Sequence, residues 1–81
     1  MNISLKIFPI SDLNNSTTEM VVELTDGKLS EVLDWVEQKW EVNPYECAIM
    51  VLCNGQSLDL EADFDLSEND KVWIMPRLSG G

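Results

Sequence analysis

The last residues of the chain carry the group with the clearest chemical potential. The sequence ends Met-Pro-Arg-Leu-Ser-Gly-Gly over residues 75–81, directly after a predicted strand. Glycine has no Cβ, so the Gly80-Gly81 end can enter a narrow channel in another protein at little steric cost. Its terminal carboxylate, with a pKa of about 3.3–3.7, is ionised at neutral pH and is a poor electrophile. The carboxylate must first be activated, for example as an acyl-adenylate from ATP, before it can accept sulfur or an amine. The alternative interpretation is a disordered terminus without a function, because short Gly/Ser ends are common as such.

Conventional catalytic and metal-binding groups are missing or unpaired in this sequence. There is no His among the 81 residues, which removes the commonest general base and metal ligand. Cys47 and Cys53 therefore have no His partner, and within one strand they would lie roughly 20 Å apart, too far for a disulfide. Two cysteines are also too few for a structural zinc site or an iron–sulfur cluster. We interpret them as small core residues of a cytoplasmic protein that is not a stand-alone enzyme.

A cluster of carboxylates follows the middle of the chain: Asp59, Glu61, Asp63, Asp65, Glu68 and Asp70. The cluster does not match a calcium loop, because Phe64 stands where the sharp turn needs Gly and Asp70 replaces the bidentate Glu. The pattern favours a solvated acidic face. Phe64 and Leu66 are predicted to anchor this loop to the core.

Charge and length restrict the classes of partner. The chain has 15 Asp and Glu against 5 Lys and Arg, a net charge of −10, which repels phosphate and makes nucleic acid a poor partner. A basic protein surface suits it better. The first residues lack a basic region followed by a long apolar run, and no apolar stretch approaches the roughly 18 residues of a membrane span. We therefore expect one domain with neither a secretory signal nor a membrane partner.

Hydrophobic periodicity predicts two strands and then one helix in the first half of the chain. Apolar and polar residues alternate over residues 2–7 and 19–24, as in half-buried strands. Either Asp26 or Ser30 would suit the N-cap of the helix, and Pro44 requires it to end earlier. One helical stripe holds five apolar residues, namely Leu29, Val32, Leu33, Val36 and Trp40.

The second half of the chain reads as three strands. Residues 48–53 are continuously apolar, which is typical of a central strand covered on both faces. The Asn54-Gly55 pair predicts a hairpin with a return strand over residues 56–60, and residues 72–75 form a last strand closed by Pro76. The order β-β-α-β-β-β with a single helix predicts an α+β roll of the β-grasp type, a mixed sheet of four to five strands packed on one helix. We assign residues 1–76 to this domain and 77–81 to a flexible C-terminal tail.

Strand alternation also predicts which side chains face outward beside the tail. Trp73 and Met75 in the last strand, and Met50 and Leu52 in the hairpin strand, would point away from the core. An exposed patch containing Trp and Met is typical of a partner site, although a register shifted by one residue would bury Trp73 instead. Arg77 could pair with an acidic groove on a partner or simply be exposed. The predicted partner-binding residues are Met50, Leu52, Trp73, Met75, Arg77 and Leu78.

Three segments of the chain resemble the MoaD/ThiS sulfur-carrier family, which shares the ubiquitin β-grasp fold. Residues 50–55, Met-Val-Leu-Cys-Asn-Gly, resemble the family's apolar-Asn-Gly hairpin. Residues 66–72, Leu-Ser-Glu-Asn-Asp-Lys-Val, resemble its Leu-x-Asp-Gly-Asp-x-Val approach to the last strand, with Asn69 in place of Gly. Residues 74–81 resemble its Phe-Pro-Pro-Val-Ser/Ala-Gly-Gly ending, with Met-Pro-Arg-Leu in place of Phe-Pro-Pro-Val. The ending is closer to the molybdopterin synthase small subunit, MoaD, than to the thiazole-pathway carrier.

The resemblance implies a carrier protein without a cofactor of its own. An E1-like adenylating enzyme of the MoeB/ThiF type would transfer AMP to the Gly81 carboxylate, and a persulfide donor would convert it to a thiocarboxylate. In molybdopterin biosynthesis the tail, with Gly80 and Gly81, would insert into a large synthase subunit of the MoaE type and donate sulfur. Two alternatives remain open: sulfur delivery to thiazole synthase for thiamine, and a ubiquitin-like interaction module or protein modifier without sulfur transfer.

Overall fold

Strands and helix follow one another in the predicted order. The computed structural model describes residues 1–9, 16–41, 43 and 49–77. In these ranges the elements are β1 (Asn2–Ile7), β2 (Thr18–Glu23), α1 (Leu29–Trp40), β3 (Ile49–Cys53), β4 (Gln56–Leu58) and β5 (Lys71–Pro76), with a 3-10 turn at Leu60–Ala62. The 3-10 turn begins where the predicted return strand was expected to end. The order β-β-α-β-β-β is confirmed, and α1 ends before Pro44.

The strands form one mixed sheet in the order β2-β1-β5-β3-β4. β1 runs parallel to β5, whereas the β1–β2, β3–β5 and β3–β4 pairs are antiparallel. Ile49–Cys53 form an interior strand with β5 and β4 on either side, and Ala48 lies outside the described residues. The prediction that this strand is covered on both faces is wrong. β5 occupies the centre of the sheet. In β3, buried residues alternate with half-buried ones, so its apolar side chains pack into the core on one face and lie on the open surface of the sheet on the other.

The core lies between α1 and one face of the sheet. The helical stripe predicted from the sequence supplies Leu29, Val32, Leu33 and Val36, all buried. The inner face of the sheet supplies every second residue of each long strand, as period-2 alternation requires. The buried strand residues are Ile3, Leu5, Ile7, Val22, Ile49, Val51, Cys53, Val72 and Ile74. The opposite face of the sheet, called here the outer face, is covered by no helix from the residues that the structure describes.

The start of α1 is held by a residue other than the predicted caps. Neither Asp26 nor Ser30 occupies the N-cap, which is Lys28 and makes no side-chain capping bond. The Glu31 carboxylate instead accepts hydrogen bonds from the backbone N–H groups of residues 25–27, at 2.6, 2.8 and 3.1 Å. These bonds lower the pKa of Glu31 below its ordinary value, because they favour the ionised carboxylate.

The acidic loop, residues 59–70, is exposed as predicted, but its carboxylates also hold it in place. Asp63 accepts a hydrogen bond from the backbone N–H of Ser30 at 3.0 Å, at the first turn of α1. Asp65 forms an ion pair with Lys28. The loop is therefore tied to the start of the helix by its own charged side chains, in addition to being solvated.

The two predicted apolar anchors of this loop behave differently. Leu66 is 5% exposed and belongs to the core, whereas Phe64 is 41% exposed. Phe64 directly follows a left-handed turn at Asp63, whose φ is 49°, and its side chain leaves the core. The prediction is confirmed for Leu66 and wrong for Phe64.

Candidate docking site beside the last strand

The outer face of the sheet brings four of the predicted partner-binding residues side by side. In the antiparallel β3–β5 pair, Met50 lies opposite Met75 and Leu52 lies opposite Trp73. Opposite residues on one face have Cβ atoms about 5 Å apart, so the four side chains form one continuous surface, called here the apolar patch. Trp73 is 38% exposed and the other three are half-buried. The outward parity is confirmed, and the register that would bury Trp73 is excluded.

Two residues at the β1 side, one aromatic and one cationic, adjoin the apolar patch and were not predicted from the sequence. Phe8 follows β1, donates its N–H to the Ile74 carbonyl at 2.8 Å, and places its ring 5.5 Å from the Trp73 ring. The Lys6 ammonium lies 5.0 Å from the Phe8 ring centre and 5.4 Å from that of Trp73, within the range of cation–π attraction. The alternation of β1 signalled that Lys6 faces outward, but nothing in the sequence showed that β1 lies beside β5.

Positive charge borders the apolar patch although the chain is strongly acidic. Lys6 and Lys71 lie on the outer face beside Trp73, and Arg77 follows the end of β5. These are three of the five Lys and Arg residues in a chain of net charge −10. An apolar centre with a charged border is the usual anatomy of a protein interface. This one suits a partner surface that carries carboxylates around an apolar centre.

The segment that leads into the tail lies at one end of this surface. Arg77 is exposed immediately after β5 and lines a cavity of about 500 Å³ where β3, β4 and the 3-10 turn meet the end of β5. The cavity walls include Ile49, Met50, Leu58, Asp59, Glu61 and Arg77. Leu78, Gly80 and Gly81, like Cys47, lie outside the described residues.

Comparison with known proteins gives matches among solved structures. A chain in the complex of subunits 1 and 2 of molybdopterin-converting factor from Helicobacter pylori is 16% identical over 100% of both chains, with a TM-score of 0.69. Small archaeal modifier protein 1 from Haloferax volcanii is 19% identical over 95% of this chain and 98% of that one, with a TM-score of 0.61. The ubiquitin of Caldiarchaeum subterraneum is 22% identical over 100% of both, with a TM-score of 0.51. The chain has the ubiquitin-like β-grasp fold. The predicted fold class is confirmed, and the resemblance to MoaD/ThiS proteins is confirmed at the level of the fold. No family model and no curated protein matches the chain.

A hydrogen-bonded junction at the start of β5 holds the register of the β3–β5 pair in this β-grasp sheet. The Asp70 carboxylate accepts bonds from the Ser67 N–H at 2.8 Å, the Asn54 side-chain amide at 3.0 Å and the Cys53 thiol at 3.6 Å. The Ser67 bond is the main cause of the lowered pKa of Asp70. Asn54 also accepts the Lys71 N–H at 3.0 Å through its side chain. The β3–β4 turn is thereby attached to the first residue of β5.

Cys53 serves this junction as a structural residue. Burial, with a smaller contribution from Asp70, raises the pKa of the Cys53 thiol to about 11. A thiol with that pKa is protonated at neutral pH, and the thiolate is the nucleophilic form. Cys53 is therefore a poor candidate for covalent chemistry.

The part of the chain that the structure describes contains neither a metal-binding cluster nor a membrane-spanning helix. No group of three or more His, Cys, Asp or Glu side chains there could hold a metal ion. No helix in the same ranges is long and apolar enough to cross a membrane. In the described ranges, the candidate site is therefore a docking surface for a partner protein, formed by the apolar patch and its cationic border.

Proposed function

We propose that this chain is a ubiquitin-like sulfur carrier whose Gly81 carboxylate is adenylated and converted to a thiocarboxylate, which donates sulfur in molybdopterin biosynthesis. The observation that carries the proposal is the position of the apolar patch on the strand that runs into the tail. A partner covering Trp73 and Met75 necessarily holds the start of the tail as well. Residues 77–81 can span at most about 17 Å, so Gly81 stays within reach of a catalytic site bordering the docked surface.

In the proposed cycle this chain supplies a reagent and a docking surface, and its partners supply catalysis. The Gly81 carboxylate attacks the α-phosphate of ATP on an E1-like enzyme, which forms an acyl-adenylate and releases pyrophosphate. Sulfide then attacks the carbonyl carbon, the bond to AMP breaks, and AMP leaves a thiocarboxylate. A persulfide attacking instead forms an acyl disulfide, whose S–S bond a second thiol must cleave, becoming a disulfide itself, to release the thiocarboxylate. The absence of His from the sequence and the raised pKa of the Cys53 thiol favour catalysis by other proteins.

The partner that receives the sulfur is proposed to be a larger synthase subunit of the MoaE type. One similar structure is a complex between subunits 1 and 2 of a molybdopterin-converting factor, which motivates an equivalent pairing here. The cationic border formed by Lys6, Lys71 and Arg77 would then face carboxylates on that subunit. The same surface would serve the activating enzyme in a separate encounter, because the tail must reach both active sites.

A second candidate function is covalent modification of other proteins. It is favoured by the structural likeness to small archaeal modifier protein 1. Both functions begin with adenylation of Gly81 and differ only in the acceptor, which is sulfide for a carrier and a lysine amine for a modifier. A third candidate function is sulfur delivery for thiamine, in which the same thiocarboxylate gives its sulfur to a thiazole synthase.

Intact-mass measurement tests the proposal directly. The purified protein is incubated with the activating enzyme of the same organism, ATP and sulfide, and a variant lacking Gly81 is the matched control. We expect the mass gain of one oxygen replaced by one sulfur, only with ATP and only when Gly81 is present. Sulfur loading is refuted if the mature chain extends beyond Gly81, or if the mass stays unchanged while the enzyme forms adenylate. Isopeptide adducts on lysines would favour the modifier function.

The pathway is assigned by adding the acceptor proteins to the loaded carrier. Sulfur transfer to a pterin precursor with the large synthase subunit, and none with thiazole synthase, is the expected result. Transfer only with thiazole synthase would assign the chain to thiamine biosynthesis instead.

A further inference from the structure

We propose that the outer edge of β2 is a second docking site, which binds an extended basic segment of another protein as an added antiparallel strand. β2 stands at one end of the sheet order β2-β1-β5-β3-β4. One side of β2 pairs with β1, and no strand in the described ranges pairs with its other side. Since β1 separates β2 from β5, this site is distinct from the apolar patch and does not depend on the function proposed above.

The backbone of β2 offers a row of hydrogen-bonding groups at this edge. Just beyond the strand ends, Met1 and Leu24 exchange two backbone hydrogen bonds, at 2.7 and 3.2 Å. In an antiparallel pair such bonded positions recur at every second residue, so the even-numbered residues of β2 bond to β1. Glu19, Val21 and Glu23 therefore direct their N–H and C=O groups away from β1. Unpaired groups of this kind are the template on which a further strand adds.

The outward row ends at a defined point. The next outward N–H in sequence belongs to Thr25, and it is already bonded to the Glu31 carboxylate at 2.6 Å. An added strand is consequently confined to the length of β2, between residues 18 and 23. At the opposite edge of the sheet β4 has only three residues, which is too short to hold a strand with comparable strength.

A groove beside the edge would accept the side chain of the added strand that lies opposite Val22. It has a volume of about 270 Å³ and lies between the end of β2 and one side of α1. Val22 and the half-buried Trp35 give it apolar walls, while Asp34 and Gln38 lie at its rim. On the other face of the sheet the added strand would cover Val21, which is 70% exposed. Both faces of the central part of the added segment should therefore be apolar.

The charges along the edge determine which segment fits. Glu19 and Glu23 stand on either side of Val21 on the outer face. A second copy of this chain, with its net charge of −10, would bring like charges together, so the edge disfavours self-pairing. A strand with a cation opposite each Glu is favoured instead. Glu19 also lies 3.9 Å from Lys6, which leaves Glu23 as the stronger determinant.

The geometry specifies a short test sequence. Residues opposite Glu19 and Glu23 should be Lys, and the residue opposite Val21 should be Val. The two between them point to the helix side of the sheet, and the one opposite Val22 enters the groove. The probe is the acetylated and amidated peptide Lys-Val-Val-Val-Lys. In the antiparallel arrangement the N–H of its central Val faces β2, whereas the N–H of its first Val faces away.

Two N-methylated versions of the peptide separate strand addition from simple charge attraction. One carries N-methyl on the central Val and the other on the first Val, so that charge and composition are the same. We expect about tenfold weaker binding with the central methyl and unchanged binding with the other. Amide exchange measured by NMR should slow at Glu19, Val21 and Glu23 when the parent peptide binds. Equal affinity of the two methylated peptides, or no slowing at these amides, overturns the proposal.

A pair of protein variants repeats the test from the other side. Val21→Pro removes an outward N–H while leaving the bonds to β1, because Pro is tolerated where the N–H faces solvent; Val21→Thr is its matched control. We expect the Pro variant to lose peptide binding at least about tenfold relative to the Thr variant. Glu23→Lys, which leaves the backbone untouched, should also lose the peptide. Wild-type affinity in Glu23→Lys, or in a folded Val21→Pro, overturns the proposal.

Discussion

Trp73 provides the sharpest test of the docking surface, because its contribution can be calculated from its exposure. A Trp side chain buries up to about 250 Å², so the 38% that is exposed corresponds to roughly 95 Å². Covering that area in an interface is worth about 2 kcal/mol at 25 cal/mol per Å². Replacing Trp73 by Ala should therefore weaken the complex with the activating enzyme roughly 30-fold.

The assay is the rate of pyrophosphate exchange during adenylation of Gly81, measured as a function of carrier concentration. The matched control is Phe64→Ala, because Phe64 is 41% exposed and lies in the acidic loop, where its carbonyl accepts the N–H of Leu29 at the start of α1. We expect Trp73→Ala to lower kcat/KM through KM and Phe64→Ala to behave like the wild type. Both variants are assayed well below their unfolding temperatures, since Trp73 also packs on Phe8.

Three results would refute this reasoning. If both variants retain wild-type kcat/KM, the apolar patch does not contact the activating enzyme. If both lose activity equally, the effect arises from general destabilisation or from a different surface. Loss of kcat with KM unchanged would also contradict a docking role, because uniform binding energy appears in KM.

The hydrogen-bonded turns around the site give three more predictions for the purified protein. With Cys47 replaced by Ser, Cys53 should react with iodoacetamide at mildly alkaline pH roughly 100-fold more slowly than free cysteine, because its pKa is about 11; reaction at the rate of free cysteine would contradict this. Glu31→Gln should lower Tm near neutral pH, since an amide has one acceptor oxygen for the N–H groups of residues 25–27. The folded pKa of Glu31 is lowered, so the wild type loses this stability as pH falls through that pKa, and a Tm difference independent of pH would be the wrong outcome. Gly55→Ala should cost about 1 kcal/mol in urea unfolding because φ is 87° at Gly55; an unchanged midpoint would argue against a left-handed turn.

Alternation along the sequence predicted the strands well because one face of this sheet is buried. Ile3, Leu5 and Ile7 are each at most 2% exposed, and their polar neighbours face outward. Such a pattern reports burial and says nothing about which strand lies beside which. The central place of β5 and its parallel pairing with β1 come from contacts between residues far apart in sequence, and they were absent from the prediction for this reason.

The same limit explains which parts of the site were found. Met50, Leu52, Trp73 and Met75 follow from parity within two strands, whereas the addition of Phe8 requires the β1–β5 pairing. Glu31 is a different case, because Glu at the third position of a helix signals a bond back to the N-cap N–H, whereas Glu31 bonds the N–H groups of residues 25–27, before the N-cap. Lys28, and not Ser or Thr, occupies the N-cap, so the sequence pattern of a capping box is incomplete and does not predict these bonds.

The register of β3 connects the stability of the fold to the proposed docking surface. A shift of one residue would turn Met50 and Leu52 inward and expose Val51 and Cys53, exchanging core and patch in a single step. The Asn54-Gly55 turn and its bonds to Asp70 and Lys71 oppose that shift. Core and patch are therefore set by the same few hydrogen bonds, although these lie at the end of β5 remote from the tail. A variant that loosens the turn should lose partner binding together with core protection, whereas a variant of Trp73 should lose partner binding alone.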